Sequence, residues 1–151
     1  MSTPYSPRHR GREVAFQFLY RLDLLNGKRG GADAIPPGWS AERAQELRTH
    51  IAHFEVPADV AEFSNQLVQA TLTRLPELDA AIEGAGSSWK VARMALVDRN
   101  LLRLALAETS LDTPVAVVIN EAVELAKQFG TEETPGFVNG VLDKLVKSKS
   151  A

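Results

Sequence analysis

The sequence predicts an all-α fold of about seven helices. Three observations point there. Apolar residues recur at three- and four-residue spacing along most of the 151 residues, polar caps followed by proline open segments that glycine closes, and no alternating β-branched run stands outside a longer helical pattern. The best strand candidate, Val115 to Ile119, lies within one such helical stretch.

Ser6 suits a cap and Pro7 the first helical position, after which Val14, Phe18, Leu22 and Leu25 repeat until Asn26-Gly27. The following segment, 27–38, combines glycines with a proline pair and reads as a flexible loop, with Trp39 anchoring its far end. Ser40 opens a modest helix carrying Ala44, Leu47 and Ile51. A longer one follows Pro57, with Val60, Phe63, Leu67 and Thr71 on its stripe, and stops near Leu75-Pro76. Pro76 starts a short helix with Leu78 and Ile82 inward, broken at Gly84 and Gly86. Asp98 is expected to cap a central helix with Leu101, Leu102, Ala105 and Leu106 on a broad apolar face. Asp112 and Thr113 precede Pro114 as a cap, and Val118, Ala122, Leu125, Ala126 and Phe129 lead to a stop at Gly130. Thr134-Pro135 opens the last helix, with Phe137, Val141, Leu142 and Leu145 inward. Short connections favour antiparallel packing, and the expectation is one helical domain over 1–151.

The net charge of −2 conceals an uneven distribution. Residues 1–30 carry Arg8, Arg10, Arg12, Arg21, Lys28 and Arg29 against Glu13 and Asp23, a net +4, which leaves −6 for residues 31–151. Without cysteine there is no disulfide, thiol catalysis or thiolate metal site, and no run of 18 apolar residues occurs. A cytoplasmic protein that crosses no membrane is expected.

Arg8, His9, Arg10 and Arg12 occupy the first two turns of the first helix with no acidic residue before Glu13. Cations are disfavoured at the electropositive helix start by about 0.3–1 kcal/mol each. A phosphate reverses that sign, since free backbone N–H groups and guanidinium forks would face one anion, while Tyr5, Tyr20 and His9 are placed to stack on unpaired bases. Two readings stand side by side: an RNA contact, or a frayed, solvated basic tail. Read from the residues, the RNA contact loses its foundation if carboxylates of the same chain neutralise these groups.

Enzyme signals are poor. Glu46, His50 and His53 share a helical face without a second cluster to complete a metal shell, so no metal is expected. Gly27-Lys28-Arg29-Gly30-Gly31 lacks phosphate-loop spacing, and Glu132-Glu133 suits a solvated surface. No catalytic centre and no cofactor are expected. Asn120, Glu121, Asn139, Gly140 and Asp143 favour a structural reading, in which Gly140 permits close helix packing and the two asparagines bond across it.

RHRGREVAFQFLY (Arg8 to Tyr20), VDRNLLRLALAE (Val97 to Glu108) and TPVAVVINEAVELAKQFGTEETPGFVNGVLDKLV (Thr113 to Val146) closely resemble the transcription antitermination factor NusB family, in that family's order. The resemblance implies a non-enzymatic protein of two small helix bundles. It implies binding of the single-stranded boxA element of ribosomal RNA leader transcripts, jointly with ribosomal protein NusE, within an RNA polymerase antitermination complex. Arg8, His9, Arg10 and Arg12 fall on its RNA-contacting start, with Tyr20 near; Glu133 and Phe137 fall on its second RNA-facing element, and Asp98 on its acidic NusE-facing position. His9 stands where arginine is frequent, making one charge pH-dependent, and Thr134-Pro135-Gly136 replaces a Ser-His-Lys type of run. Two competing readings are a protein interaction module or homodimer that masks its own basic face, and an accessory domain of a ribosomal RNA methyltransferase. The second is disfavoured because no G-rich methyl-donor motif is present.

Overall fold

A computed structural model describes residues 6–27, 35–86 and 88–150, with side chains placed through Val146. Among these residues there are seven α-helices, one 3₁₀ turn and no strand. The helices are α1 (Pro7–Gly27), α2 (Ala41–His53), α3 (Ala58–Thr73), α4 (Leu75–Gly84), α5 (Leu96–Glu108), α6 (Val115–Phe129) and α7 (Thr134–Ser150), and the 3₁₀ turn is Val91–Arg93. The expected all-helical class and the order of its elements are therefore found.

Helix α5 is the shared wall. It touches α1, α3, α4, α6 and α7, so the helices before and after it pack on it. Its residues from Arg99 to Glu108 are all buried, which explains why its apolar face reads as unusually broad. It runs antiparallel to α1, since Arg12 meets Glu108 and Asp23 meets Arg99. Phe16, Phe18, Leu19, Leu67, Leu72, Leu101, Leu102 and Leu125 fill the space between the helices.

Helix starts obey the local signals only in part. Ser6 and Ser40 behave as read: Ser6 Oγ accepts from the His9 amide at 3.1 Å, and Ser40 Oγ from the Arg43 amide at 3.0 Å. Asp98 does not cap α5, because the helix begins a turn earlier, after Ala95; Asp98 instead sits in the first turn, half-buried, accepting from the Thr134 hydroxyl at 3.2 Å. Nor do Asp112 and Thr113 cap α6. Pro114 holds that position, and Asp112 takes a left-handed turn conformation with φ of 64°. Leu25, read as inward, is 49% exposed at the end of α1.

Most of the expected flexible loop at 27–38 lies outside the described residues. Its far end is fixed: Ile35 is buried, the Gly38 amide donates to the Leu72 carbonyl at 2.9 Å, and Trp39 packs on the core.

Close helix packing occurs at a different glycine from the one expected. A Cβ on Gly140 would meet nothing within 4 Å, and Asn120 and Asn139 are exposed without bonding each other, because Val138, Val141, Leu142 and Leu145 carry the inner face of α7. At Gly11 a Cβ would lie 2.8 Å from the Phe63 ring, where α1 crosses α3, and Ser64 Oγ donates to the Gly11 carbonyl at 2.8 Å. Replacing Gly11 with alanine is expected to destabilise the protein by about 1–3 kcal/mol through overpacking, read as a lower urea midpoint. Gly130 ends α6 as expected, and the reason is contact: a Cβ there would fall 2.5 Å from Thr134.

Candidate nucleic-acid interface

The basic start of α1 divides into an inner and an outer pair. Positions 9, 12, 16 and 19 share one helical face, and Phe16 and Leu19 place that face in the core. Arg12 is accordingly 2% exposed. Its Nε and Nη2 donate to the two Glu108 oxygens at 2.8 and 2.6 Å, and its Nη1 donates to Glu121 Oε1 at 2.9 Å. The His9 ring, also buried, donates from Nδ1 to Glu121 Oε1 at 3.0 Å and lies 3.8 Å from Glu13 Oε2. The expectation of an outward basic start is thus corrected for Arg12 and His9, which are buried against carboxylates of the same chain. With its ring buried against Glu121, His9 does not lie on the outer surface where the sequence reading placed it.

Arg8 and Arg10 face outward. Arg8 is exposed, lies over the Phe63 ring at 4.4 Å, and has no carboxylate partner among the described residues. Arg10 is part-exposed, spans the Phe54 ring at 5.3 Å and donates to Glu13 Oε1 at 3.1 Å. Both guanidiniums rest on aromatic faces, which limits their motion while leaving N–H groups toward solvent.

Helices α1 and α6 run side by side in the same direction, because His9 meets Glu121, Glu13 meets Gln128, and Phe16 meets Phe129 in order. Their seam leads from the outer arginines toward the loop before α7, and His9 to Phe16 alone advances about 10 Å at 1.5 Å per residue. Tyr20 lies half-buried one turn past Phe16, with ring centres 6.1 Å apart. Glu133 is exposed at the loop, and its carbonyl accepts from the Phe137 amide. Phe137 is half-buried, packed on the core and edge-on to Trp89 at 6.4 Å. The cationic and aromatic candidates therefore occupy separate stations rather than one cluster.

The Glu46, His50 and His53 face does not converge on a metal. His50 is buried and donates from Nε2 to the Val14 carbonyl at 3.0 Å, His53 is exposed, and Glu46 pairs with Arg43. Burial, reinforced by Arg21 and His53, lowers the His50 pKa from 6.5, although its bond to Val14 works in the opposite direction. The folded protein thus resists a proton that the unfolded chain accepts. The contribution of His50 to stability is complete above pH 6.5 and declines as pH falls toward the lowered value. A His50→Gln variant is expected to lose less stability than the parent between pH 7 and 5, measured by urea unfolding across that range.

One buried polar system escapes sequence reasoning. Asp23, 0% exposed, accepts from Arg99, from Asn100 Nδ2 at 2.7 Å and from Arg103 Nη1 at 3.4 Å, while Arg103 also forks onto Asp79 at 2.7 and 2.9 Å. The available signal was Arg99 and Arg103 four apart in a helix whose leucines and alanines otherwise form a broad apolar face.

These features define an all-helical protein whose first helix opens with Arg8 and Arg10 facing outward and buries His9 and Arg12. The sequence matches the NusB family over residues 9–147, and the chain belongs to that family. It is 40% identical over 143 residues to the transcription antitermination protein NusB of Desulfitobacterium hafniense (strain DSM 10664 / DCB-2), covering 93% of this chain and 88% of that one. Among solved structures it resembles NusB in a crystal structure of antitermination factors NusB and NusE in complex with dsRNA, with a TM-score of 0.76 and 28% identity over 94% of this chain and 97% of that one. It also resembles T. maritima NusB, with a TM-score of 0.72 and 29% identity over 97% and 93% of the two chains. No described helix is long and apolar enough to cross a membrane.

Proposed function

We propose that this protein is a non-enzymatic antitermination factor of the cytoplasm that binds boxA RNA of ribosomal RNA leader transcripts jointly with ribosomal protein NusE, within an RNA polymerase complex. The observation that carries this reading is family membership over residues 9–147, supported by likeness to a NusB solved together with NusE and RNA.

In this reading Arg8 and Arg10 hold phosphates, since their forks remain accessible at an electropositive helix start. Tyr20 and Phe137 offer ring surface for bases, and Glu133 offers an acceptor for base N–H groups. Asp98 contributes to the acidic surface met by a cationic ribosomal protein. His9 and Arg12 act indirectly, by fixing the direction in which α1 presents its neighbours. Joint binding is a coupling free energy, so NusE raises affinity for RNA by the same factor by which RNA raises affinity for NusE.

The test is RNA binding by the full chain with and without NusE, using boxA, scrambled and double-stranded RNA over a range of salt. Enhancement by NusE restricted to the boxA strand is expected, with log K falling against log salt at a slope of about −2 to −3.5, near −0.7 for each phosphate held. Replacing Arg8 and Arg10 together by alanine is expected to flatten that slope by about 1.4, as two phosphate contacts are lost. Equal binding to scrambled RNA, or an unchanged slope, contradicts the assignment.

A further inference from the structure

Phe137 is not an isolated ring. Its edge meets Trp89, and the Lys144 ammonium lies 5.3 Å from the Trp89 ring centre. The indole is seated by local geometry: the Trp89 amide closes a turn onto the Gly86 carbonyl at 3.1 Å, and a Cβ on Gly86 would lie 3.0 Å from the ring. Immediately after it come Lys90 and Arg93, both exposed and neither with a carboxylate partner among the described residues. The nearby Glu83 is engaged elsewhere, accepting the Val91 amide at 2.9 Å, and Val91 is buried and pins the turn. From Ala85 to Val97 the chain carries these two cations and no acidic residue, on a body whose net charge is otherwise negative.

We infer that Trp89, Lys90, Arg93 and Lys144 form a second nucleic-acid contact that continues from Phe137, taking an unpaired base on the indole and phosphates on the three cations. The inference rests on the RNA-binding reading above and adds residues to it. Its physical basis is the pairing of one half-buried aromatic face with several unneutralised cations, the combination by which single strands are held without base-edge readout. Lys144 is exposed, so its hold on the ring is weak. An arriving base displaces the ammonium from the ring, and the freed charge moves to the adjoining phosphate. An acidic protein segment would use the three cations but would leave the indole without a stacking partner.

The test uses the full chain with Trp39→Phe, which leaves Trp89 as the sole tryptophan, labelled as 5-fluorotryptophan. Labelled single-stranded boxA RNA is titrated in the presence of NusE, and RNA anisotropy is recorded together with the fluorine resonance. The expected result is a Trp89 shift that saturates with RNA binding. In the combined Lys90→Gln, Arg93→Gln and Lys144→Gln variant, whose altered side chains are all exposed, the salt slope is expected to flatten by about 2. Tight RNA binding with an unmoved resonance and the parental slope overturns this inference and leaves the proposed function standing. A resonance that moves with NusE alone and not on adding RNA also overturns it, assigning the surface to protein. No RNA binding by the parent chain removes the proposed function and this inference together.

Discussion

Arg12→Ala is expected to lower the unfolding free energy by about 3–5 kcal/mol, because it strands the buried Glu108 carboxylate and leaves Glu121 with His9 alone, rather than removing a surface charge. Glu108 and Glu121 are 2% and 3% exposed, and Arg12 satisfies both through a two-pronged contact to one and a single bond to the other. A domain with a total stability of about 5–15 kcal/mol feels such a loss as a large fraction of its margin. The measurement is urea unfolding at pH 7, with the midpoint falling and the slope m retained. Arg12→Lys is expected to fall between parent and alanine, since a point ammonium cannot reproduce the fork. The folded fraction of Arg12→Ala should keep the parental salt slope for RNA, in contrast to the Arg8 and Arg10 variant. A stability loss below about 1 kcal/mol, of the size typical of surface pairs, would mean that the network contributes little.

Asp23→Ala is expected to have a comparable effect, about 3–5 kcal/mol, by leaving Arg99 without its carboxylate in the interior. Among the described residues Asp23 is the only acid bonded to Arg99, whereas Arg103 retains Asp79. The distinguishing experiment is the pair Asp23→Leu with Arg99→Met. Removing both partners and filling the volume with apolar groups is expected to recover most of the loss, because the cost lies in the uncompensated charge. Thermal and urea unfolding of the single and double variants give the coupling directly. Additive losses would show that Asp23 and Arg99 stabilise the fold independently, against the geometry of their contact.

Sequence reasoning succeeded where the controlling physics is local. Apolar spacing identifies Val60, Phe63, Leu67 and Thr71 as one inward stripe, and all four are buried on α3. It also places Val118, Ala122, Leu125 and Ala126 on the inner face of α6. It failed at Asp98, where a good capping residue lies within the first turn because α5 begins earlier, after Ala95, and its carboxylate accepts from Thr134 of α7 instead. It failed at Gly140 because a glycine in a helix has the same sequence appearance whether it faces a neighbour or solvent; only the orientation of α7 distinguishes them. Trp89 read as nothing in particular, since its significance comes from Phe137 and Lys144, 48 and 55 residues further on.

Alone, the amino-acid order determined the helical class, the order of the helices and most inward faces, since periodicity, caps and prolines act within a few residues. The tertiary structure decided which charges remain available to a ligand. Arg8 and Arg12 are the same residue type one helical turn apart, yet one is left exposed and the other meets carboxylates 96 and 109 positions away. Short-range patterning has no access to partners that distant, so the burial of His9 and Arg12 against Glu108 and Glu121 became legible only once α5 and α6 were packed against α1.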